Sequence, residues 1–259
     1  MRNKNPLIKA VMMLIALLLV IMFLVSYAGA GKEYIADSQN TEITEDEGSV
    51  HYENISITYE KQMPKDIPEQ IRLAVIELPV EVVKAFIDDE WKIAIVSTVE
   101  LPEDANIDAT IDETDTVIGV TNYKTKTIQV LYDEMQQSVT APLMHELSHY
   151  CDKYYGEKYY AEDSLYRVNP GVYLVSFTKD FEELYKNHKN TYLEYEKAGI
   201  ARTEDNRLDF EYPVSNSEEF FACSLKDFFL HPAYLKDNYK EIYDFFEEKL
   251  INAESDQQQ

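Results

Sequence analysis

Residues 140–156 read TAPLMHELSHYCDKYYG and place two histidines, His145 and His149, four positions apart, with Glu146 directly after the first. On a helix, residues with this spacing face the same side, because four residues make about one turn plus 40°. Both imidazoles would then reach one Zn²⁺ ion at about 2.0–2.1 Å, with Glu146 beside it as a general base. The stretch therefore predicts a helix that carries a metal site.

The residues around the motif also fit a helix. Thr140 is expected to cap its start, and Pro142 falls in the first turn, where a missing N–H costs nothing. Gly156 is expected to stop the helix. The side opposite the metal is apolar and holds Leu143, Leu147 and Tyr150.

A catalytic zinc of this kind needs a third protein ligand and an open position. Two adjacent glutamates, Glu218 and Glu219, lie at the start of a later predicted helix. Ser215 and Glu218 fit a capping box, which leaves Glu219 to face the histidine helix. An acid in the first turn is also favoured by the helix dipole without any metal, so spacing alone leaves both interpretations of Glu219 open. One stripe of this helix holds Glu219, Ala222, Cys223 and Lys226.

Composition excludes some classes of protein. The chain has 259 residues, of which 48 are acidic and 24 basic, and its net charge of −24 argues against nucleic acid as a partner. With 45% apolar residues it can bury a core, and two cysteines are too few for a disulfide scaffold. Cys151 and Cys223 fall on the two helices that would meet at the metal. They are either two buried thiols or a disulfide between those helices.

The N-terminal residues have the pattern of an export signal. Arg2, Lys4 and Lys9 form a basic flank, and residues 10–31 carry no charged side chain. This segment is either cleaved at the small residues 28–30 or kept as an anchor, since it is long enough to cross a bilayer core of about 30 Å. Both outcomes place the rest of the chain outside the cytoplasm, secreted or attached to the membrane only through residues 10–31.

The rest of the chain is expected to form one domain. We expect a signal or anchor at 1–31, an acidic linker at 32–63, a metallopeptidase domain at 64–254 and a polar tail at 255–259. Strand patterns occur within Val50–Tyr59 and at Trp91–Val99, Val117–Tyr123 and Thr127–Tyr132. Helical patterns occur at 71–78, 82–86, Thr140–Tyr155, Phe177–Lys197, Ser217–Leu230 and Tyr234–Leu250. The predicted fold class is α+β, with a small subdomain of helix and β-hairpin sheet followed by a mostly helical subdomain.

Three segments together resemble the catalytic domain of the anthrax lethal factor family, which includes secreted bacterial Pro-Pro endopeptidases. They are the run 118–123 (IGVTNY), the helix 145–152 (HELSHYCD) and the run 219–222 (EFFA). The likeness covers roughly residues 64–250 and implies a zincin-like fold around the histidine helix. HExxH alone is shared by many zinc peptidases, so the other two segments and their order make the likeness more specific.

The resemblance assigns roles to individual residues. His145, His149 and Glu219 match the ligands of one zinc ion per chain. Glu146 matches the general base, and Tyr212 matches a tyrosine whose hydroxyl stabilises the oxyanion of the tetrahedral intermediate. A peptide is expected to add as a strand along the hairpin edge, using Gly119, Val120 and Thr121.

Four positions qualify the resemblance. Asp152 matches an acidic position and either fixes the tautomer of a ligand histidine or is a surface acid. Ser148 stands where the family often has glycine. Cys223 stands where it often has a second acid, which leaves support of the metal ligands open. Trp91 is the single tryptophan and lies in the early strand, so a strict Pro-Pro preference does not carry over.

The expected function is a zinc endopeptidase of peptides or proteins, acting outside the cytoplasm. One alternative is a catalytically inactive peptide- or surface-binding module of the same fold, which keeps the metal as a clamp. Another is a metal-dependent hydrolase of cell-wall crosslinks, which the acidic surface does not favour because wall polymers are often anionic. A toxin role rests on analogy alone.

Overall fold

The computed structural model describes residues 54–60, 64–101, 117–133, 137–161, 167–169, 171–199 and 211–252. The predicted signal or anchor, most of the acidic linker and the polar tail lie outside these ranges, so the domain boundaries stay predictions. Within the described ranges, no helix combines the length and apolarity that spanning a bilayer requires.

The described residues form the expected α+β fold. The strands are β1 (Ser56–Tyr59), β2 (Lys92–Val96), β3 (Gly119–Asn122), β4 (Thr127–Leu131), β5 (Arg167–Asn169) and β6 (Val172–Tyr173). The helices are α1 (Ile67–Ile76), α2 (Val80–Asp88), α3 (Thr140–Tyr160), α4 (Lys179–His188), α5 (Tyr195–Ala198), α6 (Ser217–Leu230), α7 (Pro232–Asn238) and α8 (Lys240–Phe246). A π-helical turn at Glu247–Ile251 continues α8, and short 3-10 turns lie at Val175–Phe177 and Tyr212–Val214.

The four-stranded sheet is mixed and leaves β3 at one edge. Its strand order is β1-β2-β4-β3, in which β1 pairs parallel with β2, β2 parallel with β4, and β3 antiparallel with β4. The sequence predicted the β3–β4 hairpin but not the two parallel pairs. Alternate residues of β4 are buried, as expected of a strand with one face on the core.

The core lies between this sheet and α3 and continues to the later helices. Trp91 packs against Tyr150 of α3 with ring centroids 5.0 Å apart, and Phe181 of α4 packs against Phe221 of α6 at the same distance. Helix α3 is buried on most of its circumference, because α1, α6 and β3 all pack against it. The motif helix is therefore the centre of the fold, and its position is fixed from several sides.

Several predicted helix ends are wrong for identifiable reasons. Val139, not Thr140, is the N-cap of α3, and its N–H donates to Gln70. The predicted helix Phe177–Lys197 is interrupted after His188, because the chain turns there and buries the side chain of Tyr192.

The helix predicted at Tyr234–Leu250 is also interrupted. At Tyr239 the backbone is not helical, with φ −139° and ψ 56°. The hydroxyl of Tyr239 accepts from the Leu193 N–H and donates to the carbonyl oxygen of Thr191. This residue therefore separates α7 from α8 while tying them to the segment that follows α4.

Gly156 does not end α3, which continues to Tyr160. A Cβ at this position would collide with the backbone carbonyl of Tyr173 in β6. The glycine is therefore needed for close packing between a helix and a strand.

We expect Gly156→Ala to destabilise the fold by about 1–3 kcal/mol, because the colliding atoms belong to backbone and cannot rotate away. The higher helix propensity of alanine offsets this by at most about 1 kcal/mol. Urea unfolding followed by circular dichroism measures the effect. Gly199→Ala is the control, since nothing lies within 4 Å of a Cβ there. An unfolding midpoint equal to that of the unchanged protein would contradict the packing role.

Candidate metal centre

Helices α3 and α6 bring the candidate ligands together. His145 and His149 lie one turn apart on the face of α3 that packs against α6. Asn216 caps α6 by accepting the backbone N–H of Glu219, so the predicted capping box with Ser215 is not formed. With this cap the helix begins at Ser217, as predicted, and the side chain of Glu219 reaches both histidines.

Three donor atoms converge at this place. His145 Nε2 lies 3.2 Å from Glu219 Oε2, and His149 Nε2 lies 3.7 Å from Glu219 Oε1. One ligand atom from each of the three residues lies within 4.8 Å of the others. His145 Nε2 and Glu219 Oε2 are both buried and neither makes a hydrogen bond of good geometry. Buried polar atoms are normally satisfied, and two imidazoles with a carboxylate are a typical zinc donor set, so these residues fit a metal.

The charges of the site point the same way. Burial alone would raise the pKa of Glu219, but His149 and His145 lower it well below its usual range. Burial alone would lower the pKa of His149, but the Glu219 carboxylate raises it to about 9. The ionised Glu219 carboxylate is therefore stabilised by positive charge beside it. A bound divalent cation would supply that charge in place of protons on the histidines.

Glu146 is held beside the ligands by β3. Thr121 Oγ1 lies 2.8 Å from Glu146 Oε2 and 3.0 Å from the Glu146 carbonyl oxygen. Gly119 lies under the same side chain, because a Cβ there would be 2.6 Å from Glu146 Oε1 and 2.8 Å from its Cγ. Burial raises the pKa of Glu146, although His145 acts in the opposite direction. A fixed carboxylate with raised proton affinity suits a general base.

Gly119→Ala is expected to lower kcat/KM by about 100-fold, because the added methyl group displaces the Glu146 carboxylate and a shift of about 1 Å can cost that much. Zinc binding should be retained, since the three ligands lie away from the collision. Peptide turnover and zinc content measured on the same preparation check both expectations. Gly199→Ala again serves as the control. Full activity of Gly119→Ala would show that Glu146 does not depend on this close approach.

Tyr212 lies at the open side of the site. Its ring centroid is 6.1 Å from that of His145, and 52% of the residue is exposed. Desolvation of its hydroxyl and the adjacent Glu219 carboxylate raise the pKa of Tyr212, so it stays a proton donor. Tyr185 Oη donates to the carbonyl oxygen of Val214 at 2.9 Å and so steadies the turn that carries Tyr212. The Tyr212 hydroxyl therefore lies close to the Glu219 carboxylate at the edge of the candidate metal site.

The other predicted site residues have different surroundings. Asp152 is fully buried and accepts the N–H of Ser176 at 2.8 Å, and among the described contacts it bonds neither ligand histidine. Burial raises its pKa to about 7 against the effect of Ser176. Asp152 is thus a buried acid that ties α3 to the turn after β6. Val120, one of the predicted substrate-binding residues, lies opposite Gln129 in the β3–β4 ladder.

Behind His145 lie Cys223, which the sequence analysis named, and Glu194, which it missed. His145 Nδ1 lies 3.5 Å from Cys223 Sγ, and Glu194 lies beyond that thiol. Cys151 and Cys223 are both buried and free, so the disulfide alternative is not formed. Lys226, which was placed only on the stripe of α6, pairs with Glu194 at 3.0 Å. Glu194 carried no sequence signal, because it is 29 residues from Cys223 along the chain and meets it only through the fold.

Comparisons with known proteins show a likeness to a solved structure. No family model matches the chain, and no curated protein is similar to it. A solved structure of a Pro-Pro endopeptidase from Paenibacillus alvei aligns with a TM-score of 0.47 and 15% identity, over 76% of this chain and 98% of that one. A likeness of this size does not establish a common family, so the function must be inferred from the geometry of the site itself.

Proposed function

We propose that this chain is a zinc-dependent endopeptidase that acts outside the cytoplasm on peptides or proteins. The observation that carries the proposal is the convergence of His145, His149 and Glu219 next to a buried Glu146 that β3 holds in place. A metal clamp without catalysis has no need of the buried carboxylate. The extracytoplasmic location rests on the sequence of residues 1–31 alone.

The ligands and the base have separate tasks. His145, His149 and Glu219 would hold zinc, which supplies Lewis acidity toward a substrate carbonyl and makes water more acidic. Glu146 takes the proton of the attacking water and returns it to the amine that leaves when the peptide bond breaks. The Tyr212 hydroxyl donates a hydrogen bond to the carbonyl oxygen of the substrate as that oxygen gains negative charge.

The edge of β3 is the proposed place for the substrate backbone. This strand pairs only with β4 among the described strands, and Gly119 and Thr121 contact Glu146 from the same strand. A peptide that adds to this edge by main-chain hydrogen bonds would bring a scissile bond beside Glu146. Recognition through the backbone is compatible with many side chains.

Cleavage of a mixed peptide library, profiled by mass spectrometry, tests the function. The protein loaded with one equivalent of Zn²⁺ should cleave internal peptide bonds, and a chelator should stop it. Digestion of purified cell-wall material, carried out in parallel, tests the alternative that the protein hydrolyses cell-wall crosslinks. Zinc binding without cleavage of any peptide would favour the binding module and overturn the endopeptidase.

A further inference from the structure

The imidazole of His145 has a specific partner on each ring nitrogen. Its Nε2 faces Glu219 Oε2 at 3.2 Å, whereas its Nδ1 faces Cys223 Sγ at 3.5 Å. Donor–acceptor distances up to about 4 Å are usual when sulfur takes part. The thiol therefore lies behind the ring, on the side away from the proposed metal, and is not a fourth ligand.

A buried ion pair lies behind the thiol. The Lys226 ammonium is 3.0 Å from Glu194 Oε1, and these side chains are only 6% and 7% exposed. The same ammonium lies 3.6 Å from Glu196, whose side chain is 44% exposed. Buried ion pairs contribute little net stability, because desolvation offsets their attraction. The placement of Glu194 is better explained by what else it touches, which is the Cys223 thiol.

Counting protons fixes the direction of each hydrogen bond. Glu194 is ionised opposite Lys226, and a carboxylate only accepts. The Cys223 S–H must therefore donate to Glu194, which leaves the sulfur lone pairs to accept the Nδ1–H of His145. With the proton on Nδ1, the Nε2 lone pair is free on the side of Glu219.

The ionisation of Glu194 agrees with this order. Burial alone would raise the pKa of Glu194, but Lys226 and the Cys223 thiol lower it below its usual value.

We propose that Cys223 and Glu194 are positioning residues that act in series and hold His145 as the Nδ1–H tautomer, with Nε2 aimed at the metal. The proposal rests on the proposed metal site and adds the groups that orient one of its ligands. It also gives Lys226 a task, which is to keep Glu194 ionised in a buried place. No covalent or redox step is involved.

Zinc affinity, measured by competition with a chromophoric chelator, tests whether Cys223 and Glu194 orient His145. Cys223→Ala and Glu194→Gln should each weaken binding by about 10–100-fold, the usual cost of losing an outer partner of a metal-bound histidine. Cys223→Ser should stay within about threefold of the unchanged protein, because a hydroxyl also donates one proton and accepts. Glu196→Gln is the matched control, since Glu196 faces the same lysine from the surface, and it should bind zinc normally.

A second measurement tests the unchanged protein directly, so it gives a result even where a variant fails to fold. In the zinc-loaded full chain labelled with ¹⁵N-histidine, the Nδ1 proton of His145 should exchange slowly with solvent. In Cys223→Ala the same proton should exchange faster. A rapidly exchanging Nδ1 proton in the unchanged protein would overturn the proposal. So would Cys223→Ala and Glu194→Gln variants that bind zinc as tightly as the unchanged protein does.

These outcomes separate the two proposals. A protein that binds no zinc at all contradicts the proposed function. A protein that binds zinc through His145, His149 and Glu219, with unchanged affinity in the Cys223 and Glu194 variants, contradicts only the positioning role.

Discussion

Glu146→Gln is expected to lower kcat/KM for peptide cleavage by about 10²–10⁴-fold, the usual contribution of general acid–base catalysis. The amide keeps the size of the side chain and can still bond Thr121, but it cannot take a proton from water. At about 1.4 kcal/mol per factor of ten, the loss corresponds to about 3–6 kcal/mol of transition-state stabilisation.

The same variant should bind zinc as the unchanged protein does, because Glu146 is not one of the three converging ligands. Steady-state kinetics on a cleaved library peptide, together with metal content, measure both effects. Glu157→Gln is a suitable control, since Glu157 lies on the same helix and pairs only with Lys153 among its described partners. Undiminished cleavage by Glu146→Gln would refute the assignment of the base.

Glu219→Gln is expected to weaken zinc binding by more than about 100-fold, because it neutralises a direct ligand, and even outer partners cost 10–100-fold. Peptide cleavage should fall with it at limiting zinc. The adjacent Glu218→Gln is a matched control that changes the same charge on the same turn of α6. Its carboxylate is absent from the converging set, so zinc affinity should change by less than about threefold.

The two neighbouring variants together decide which glutamate serves the metal. Equilibrium dialysis against buffered zinc gives the affinities, and circular dichroism confirms that both proteins fold. A larger loss in Glu218→Gln than in Glu219→Gln would contradict the proposed ligand set.

The parts of the fold that follow from local pattern were predicted well. Helix α6 begins and ends where the sequence indicated, at Ser217 and Leu230, because its apolar residues recur at helical spacing. The β3–β4 hairpin was found from two β-rich runs separated by a short polar turn. The parallel pairing of β1, β2 and β4 was not, since strand partners far apart in sequence leave no local signal.

In the candidate site, too, the features with a local sequence pattern were predicted and those that depend on distant residues were not. The spacing of His145 and His149 follows from helix geometry and was readable at once. The choice of Glu219 was left open by spacing, because an acid in the first turn of a helix is also favoured by the helix dipole without a metal. The sequence left open which group supports His145, because position 223 is a cysteine and not an acid. In the fold, Cys223 lies next to His145, and Glu194 lies beyond Cys223, in the segment between α4 and α5.

Gly119 and Thr121 were predicted to bind substrate through the edge strand, and that role stays a proposal. The structure adds a second role for both, since Thr121 bonds Glu146 and Gly119 makes room for it. Neither contact is readable from sequence, because Glu146 follows Thr121 by 25 residues and meets it only when α3 packs on β3.

The central claim is that His145, His149 and Glu219 bind one zinc ion together. Anomalous diffraction at the zinc absorption edge, on crystals of the zinc-loaded protein, tests it most directly. We predict one strong peak per chain at about 2.0–2.2 Å from one nitrogen of each histidine and from a Glu219 carboxylate oxygen. A peak bound by other residues, or no peak between α3 and α6 in fully loaded crystals, would contradict the account.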